Sequence, residues 1–187
     1  MSIEPARPLT GEQNTEPLSL KEPESPTRVL VAGMGNVLQW DDGWGIAVVQ
    51  KLARHTALPA NAKVIEVGMA GMSLVQELLD GYGALVIVDA AERGGSPGTI
   101  YLLEPEIPDL AQWPYAQRQD FLADMHYTNP SKALVLARSL GVLPPKVFIL
   151  GCQPATIEGL GIGLSEPVNL AVDQGVERLI TAIRQLS

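Results

Sequence analysis

Arg28-Val-Leu-Val-Ala-Gly-Met-Gly-Asn-Val-Leu-Gln-Trp-Asp-Asp-Gly-Trp-Gly-Ile-Ala-Val-Val-Gln-Lys-Leu52 reads as a strand, a loop and a helix in succession. Arg28 to Ala32 is a short β-branched run, and from near Gly43 the residues Ile46, Val49 and Leu52 recur at the helical period. The pattern then repeats. Lys63-Val-Ile-Glu-Val67 is a second strand, Ser73 to Asp80 a helix, and Ala84 to Val88 a third strand. Short apolar runs alternating with amphipathic segments are the signature of βαβ units around a largely parallel sheet.

Ser96-Pro-Gly98 turns into Thr99-Ile-Tyr-Leu-Leu103, a spacing that suits an antiparallel hairpin partner better than a crossover. Glu104 to Thr128 has no clear period and is expected to be irregular, with a short helix near Gln117 to Ala123. Asn129-Pro130 is a cap followed by proline at a first helical position, leading into Ser131 to Leu140, with Gly141 as the stop. Lys146 to Leu150 is a further strand. The last helix, about Pro167 to Gln185, aligns Val168, Val172, Val176, Leu179, Ile183 and Leu186 on one face. The expected fold is α/β, a three-layer sandwich with a mostly parallel twisted sheet of about five strands and one antiparallel hairpin strand.

Composition bounds the function. With 187 residues, 46% of them hydrophobic, the chain suits one well-buried core, expected over residues 28 to 187. Residues 1 to 27 hold five prolines and five glutamates with few large apolar side chains, so a disordered Pro/Glu-rich extension is expected there. A net charge of -8 and a pI near 4.7 argue against nucleic acid and against anionic lipid as partners. The single cysteine, Cys152, excludes an internal disulfide framework and fits a reducing, cytoplasmic setting. No window reaches the roughly 18 apolar residues of a membrane span, and a monomer is expected.

Three residues that can bind a metal stand just past elements of this pattern: Asp42 in the loop Gly33 to Gly45, Asp89 at the end of Ala84-Leu-Val-Ile-Val-Asp89, and His126 in Asp124-Met-His-Tyr-Thr-Asn129. Open α/β sheets bind ligands beyond the carboxyl ends of their strands. Each residue also has a plainer reading. Asp42 precedes a helix and suits an N-terminal acid, and Asp89 suits a cap on the following turn. In the Asp41-Asp42 pair one carboxylate can cap while its neighbour faces the cleft. The other histidine, His55, falls late on the first helix, which makes His126 the better ligand candidate. Two carboxylates and an imidazole form a mixed oxygen and nitrogen set suited to zinc, nickel, iron or manganese, with coordination sites left open for substrate.

Other chemistries fit less well. Gly33-Met-Gly-Asn36 has Leu38 where a dinucleotide fingerprint needs its third glycine. Gly71-Met-Ser-Leu74 lacks the second glycine of a nucleophile elbow. Cys152 ends a strand without a cationic neighbour and reads as a small buried residue, not a nucleophile.

Taken together, Gly33-x-Gly-Asn36 with Asp41-Asp42-x-x-Gly45, Gly68-x-x-Gly71, Val88-Asp-Ala90 with Pro97-Gly98, His126, Gly151-Cys-Gln-Pro154 and Gly161-Ile-Gly-Leu-Ser165 resemble the [NiFe] hydrogenase maturation proteases. The resemblance spans about Arg28 to Gln185 in chain order. It implies an endopeptidase that removes the C-terminal extension of a [NiFe] hydrogenase large-subunit precursor after nickel insertion. It also implies that nickel, carried in by the precursor, is recognised by Asp42, Asp89 and His126, the same residues that would carry catalysis. The alternative is a non-catalytic nickel-sensing chaperone of the immature subunit. Two departures stand out. The first ligand is often glutamate in the family, so Asp42 shortens its reach by one methylene, about 1.5 Å. Glu66-Val67-Gly68-Met69 stands where the family commonly has Asp-Gly-Gly-Thr.

Overall fold

A computed structural model describes residues 27–123 and 130–186. The described part contains one five-stranded sheet built from β1 (Val29–Met34), β2 (Ala62–Gly68), β3 (Ala84–Ala90), β4 (Ile100–Leu103) and β5 (Lys146–Cys152). Its strand order is β2-β1-β3-β5-β4, with β4 antiparallel to β5 and every other pairing parallel. The helices are α1 (Trp44–Leu52), α2 (Gly71–Leu78), α3 (Tyr115–Ala123), α4 (Pro130–Ser139) and α5 (Glu166–Leu186). Short 3-10 turns cover Trp40–Gly43 and Leu110–Gln112.

The period of two along each central strand sorts the side chains into two cores. Val29 and Val31 of β1 and Ala84, Val86 and Val88 of β3 pack with α1 and α5. Leu30 and Ala32 of β1 and Leu85 and Ile87 of β3 pack with α2 and α4. That division is the three-layer sandwich. All six residues expected on the buried face of the last helix are buried in α5, because the 3.6-residue period keeps them over one side of the sheet.

Two details differ from the sequence reading. The antiparallel strand β4 does not form a hairpin with β3; it pairs with β5, which lies between them. The apolar run of β5 takes the place beside β3 after a helical crossover, as parallel strands require, and displaces β4 to the edge. Asp89 lies within β3, not past it, because β5 continues to Cys152 and pairs Asp89 with Gly151. The expected disordered extension falls outside the described residues except for Thr27, and so does His126. No helix among the described residues is long and apolar enough to cross a membrane.

Candidate active site

The site lies at the carboxyl end of the parallel strands, where β1 passes into α1. Gly35 makes the turn possible. Its φ of +111° is a conformation that side chains disfavour, and a Cβ there would stand 1.9 Å from the Asp42 carbonyl oxygen. The loop closes on itself: the Asn36 N–H donates to Asp42 Oδ2 at 2.6 Å, and Asn36 Oδ1 accepts from the Leu38 N–H at 3.0 Å. Gly45, in the first turn of α1, lets the helix sit directly on the strand ends. A Cβ at that position would meet the Val88 and Met34 carbonyl oxygens at 2.2 and 2.4 Å.

The two adjacent aspartates of this loop have opposite surroundings. Asp41 is wholly buried. Its carboxylate accepts from the Ser165 N–H at 2.6 Å, the Ser165 hydroxyl at 2.8 Å, the Ala155 N–H at 2.8 Å and the Thr156 N–H at 3.2 Å. Burial pushes its pKa up, but these hydrogen bonds, led by the Ser165 N–H, outweigh burial and hold it below the ordinary carboxylate range. Asp41 therefore fastens the first loop to the segment following β5. The pairing of a capping acid with an outward-facing one is realised across the chain instead of within the helix start.

Asp42 stays half-buried, close enough for its charge to act on Asp89. Asp89 Oδ1 would lie 3.4 Å from a Cβ placed on Gly35, the residue packed against Asp42. Burial first, and then the charge of Asp42, raise the Asp89 pKa to about 7, while the Ala90 N–H, donating at 2.9 Å, pulls it down. The contact to Ala90 is the plainer role read from the sequence, and it coexists with a place beside Asp42.

By the alternation of β3, Asp89 belongs to the sheet face covered by α2 and α4. The crossover geometry starts α4 at this same end of the sheet, since its C-terminus must lead back to the beginning of β5. The structure thus brings Asp42 and Asp89 together, and the third sequence candidate, His126, lies outside the described residues. No group of three or more His, Cys, Asp or Glu side chains suited to a metal occurs among the described residues. His55 sits beyond the far end of α1, where its Nδ1 accepts from the Ala57 N–H.

Two supporting residues had no role assigned from the sequence. Buried Gln153 accepts from the Arg93 N–H at 2.7 Å and the Gly95 N–H at 3.3 Å, which ties down the loop that follows Asp89. Ser165 supplies two of the four hydrogen bonds to Asp41. A glutamine directly after a buried apolar strand was the readable signal, since a polar group there must find partners. Cys152 is fully buried, and burial, then the nearby Asp41 charge, push its thiol up to about 11, opposed by the Gly98 N–H. It is unsuited to act as a nucleophile.

A family model described as hydrogenase maturation protease matches residues 46–182. The hydrogenase 2 maturation protease of Escherichia coli is 30% identical over 160 residues, covering 84% of this chain and 92% of the relative. The hydrogenase expression/formation protein HupD of Rhodobacter capsulatus is 31% identical over 159 residues, covering 85% of this chain and 72% of the relative. Among solved structures, the hydrogenase maturating endopeptidase HybD of Escherichia coli superposes with a TM-score of 0.66 at 28% identity, covering 84% of this chain and 93% of the other. With this fold, this ordered set of loops and these relatives, the chain belongs to the hydrogenase maturation protease family and is a peptide hydrolase.

Proposed function

We propose that this protein removes the C-terminal extension of a [NiFe] hydrogenase large-subunit precursor once nickel has been inserted, and that Asp42, Asp89 and His126 recognise that nickel. The observation that carries the reading is the convergence of Asp42 and Asp89 at the carboxyl end of the sheet. Their like charges oppose each other there, and among the described residues no basic side chain contributes to the Asp89 shift. Such a pair gains from a cation arriving between its carboxylates. The donor set fits nickel, which accepts oxygen and imidazole nitrogen ligands together. His126 fits in chain order, because α4 begins four residues after it at this end of the sheet and on the Asp89 face.

In this reading the metal is part of the substrate and polarises the scissile carbonyl or a water when it is bound. The protein's own groups do the rest. Asn36 fixes the Asp42 carboxylate through its backbone N–H, and the Ala90 N–H fixes Asp89 Oδ1. A carboxylate held in this way can take a proton from the attacking water and return one to the leaving amine. Gln153 and Asp41 hold the surrounding loops in place, so that the two acids keep their separation. The same reading sets the reaction in the cytoplasm, with the protein acting as a monomer and without nucleic acid or membrane.

The test is the intact mass of the cognate precursor after incubation with this protein, with and without nickel loaded. Loss of a C-terminal peptide from the nickel-loaded form alone is expected. Binding without any change in mass overturns the reading in favour of a nickel-sensing chaperone, and cleavage that ignores nickel overturns the recognition step.

A further inference from the structure

Beside the cleft, two loops expose apolar side chains that the mechanism does not use. Val37, Leu38 and Trp40 stand on the first loop, and Leu160 and Ile162, at 84% and 79% exposure, stand on the segment after β5. The loops are joined backbone to backbone: the Trp40 N–H donates to the Gly161 carbonyl at 3.1 Å and the Gly161 N–H to that of Leu38 at 2.8 Å. Trp40 adopts a φ of +53°, an outlier for so bulky a residue, and its ring lies directly on Gly161, where a Cβ would be 1.9 Å from a ring carbon. Between Trp40, α1 and residues 162–164 lies a groove of about 150 Å³ lined by Val37, Trp40, Ile46, Ala47, Ile162 and Leu164. A volume of that order takes one benzene-sized apolar group.

Isolated exposed apolar residues need no explanation, whereas a contiguous set across two bonded loops marks an interaction surface. What covers it follows from continuity with the cleft. Trp40 is two residues from Asp42, and the segment bearing Leu160 and Ile162 is the one that Asp41 fastens. A precursor whose tail reaches Asp42 and Asp89 must bring its folded surface against this collar. Val37, Leu38, Trp40, Leu160 and Ile162 carry no charge, with the exposed acid Glu158 two residues outside them, so the complement of this set is apolar, not a basic patch steered by charge.

We propose that this collar is the docking surface for an apolar patch of the folded large-subunit precursor beside its C-terminal extension, with one side chain of the precursor seated in the Trp40 groove. The proposal rests on the protease reading. It is tested with a full-length L160S/I162S variant, whose two changes lie on exposed loop positions outside the catalytic pair. Binding to the nickel-loaded precursor and the concentration dependence of its processing are measured beside the wild type.

The expected result is a rise of about tenfold or more in the dissociation constant and in the half-saturating precursor concentration, with the saturating rate held within about twofold. Unchanged binding and half-saturation overturn the collar. So does a wild-type dimer that the variant loses, which would make a second copy the occupant. A wild type that binds the precursor but never cleaves it removes the protease reading, and the two dissociation constants still decide the docking surface.

Discussion

Asp41 and Asp42 are neighbours in sequence and opposites in the folded chain. Asp41 is fully buried, and four hydrogen bonds to its carboxylate join the β1–α1 loop to the segment after β5. Asp42 receives one N–H and stands across from Asp89, whose own carboxyl it makes harder to ionise. One carboxylate is placed where its charge is fully compensated. The other pair is placed where two charges compete, an arrangement that costs stability and is characteristic of functional sites. The contrast separates a residue that holds the loops from the two acids that the proposed function assigns to the substrate.

The largest effect should come from breaking the cleft pair itself. Asp42→Ala, Asp89→Ala and His126→Ala are each expected to reduce processing of the nickel-loaded precursor by about 10²- to 10⁴-fold, the range of a lost acid, base or ligand. Folding should survive in all three, judged by an unchanged far-ultraviolet dichroism spectrum. Full processing by all three variants would end the assignment. Asp41→Asn should do the reverse and act first on stability. Its amide nitrogen would face N–H donors where an oxygen accepts now, leaving buried groups unpaired at a cost of about 3 kcal/mol. A melting temperature equal to the wild type's would show that Asp41 is not the fastening group.

The two acids also give opposite pH signatures. Asp89 has its pKa raised from 3.8 to about 7, so the unfolded chain binds fewer protons than the folded one between those values. Stability from this group therefore falls as pH rises from about 4 to about 7, and stays at its lower level above that. Asp89→Asn removes the penalty. In metal-free protein the variant should be more stable than the wild type at pH 8, by on the order of 4 kcal/mol, with the gap closing toward pH 4. Asp41 has a lowered pKa, so its contribution is present above about 3.8 and is lost as pH falls below it. Equal denaturant midpoints for Asp89→Asn and the wild type at pH 8 would place Asp89 in a better compensated setting than the fold describes.

The sequence carried the layers of the fold because each apolar run has one clear period. The alternation in β1 and β3 and the 3.6-residue spacing in α5 dictate which face is buried. The place of β4 was not legible, since the short turn before it says antiparallel but not that a strand beginning only at Lys146 will enter between it and β3. The pairing of Asp42 with Asp89 was readable from strand ends. The division of labour between Asp41 and Asp42 was readable only as a pair of options, because the partners of Asp41 lie more than a hundred positions away. Trp40 carried no local signal for a left-handed backbone; that conformation is imposed by contacts with Gly161 that form only when both loops are in place.

The smallest effect concerns Cys152, which sits between the two regions. It ends β5, one residue before Gln153, and feels the Asp41 charge. If that carboxylate is ionised and buried as described, the thiol at about 11 leaves only about one molecule in a thousand as thiolate at pH 8. Alkylation of the folded protein by iodoacetamide should then be far slower than that of the unfolded chain, both for lack of thiolate and for lack of access. Cys152→Ala should process precursor at the wild-type rate and lose about 1 kcal/mol of stability, the effect of removing one small buried side chain. A large loss of processing with the fold intact would move Cys152 into the catalytic machinery. It would also mean that Asp41, whose charge acts on this thiol, does more than fasten the loops.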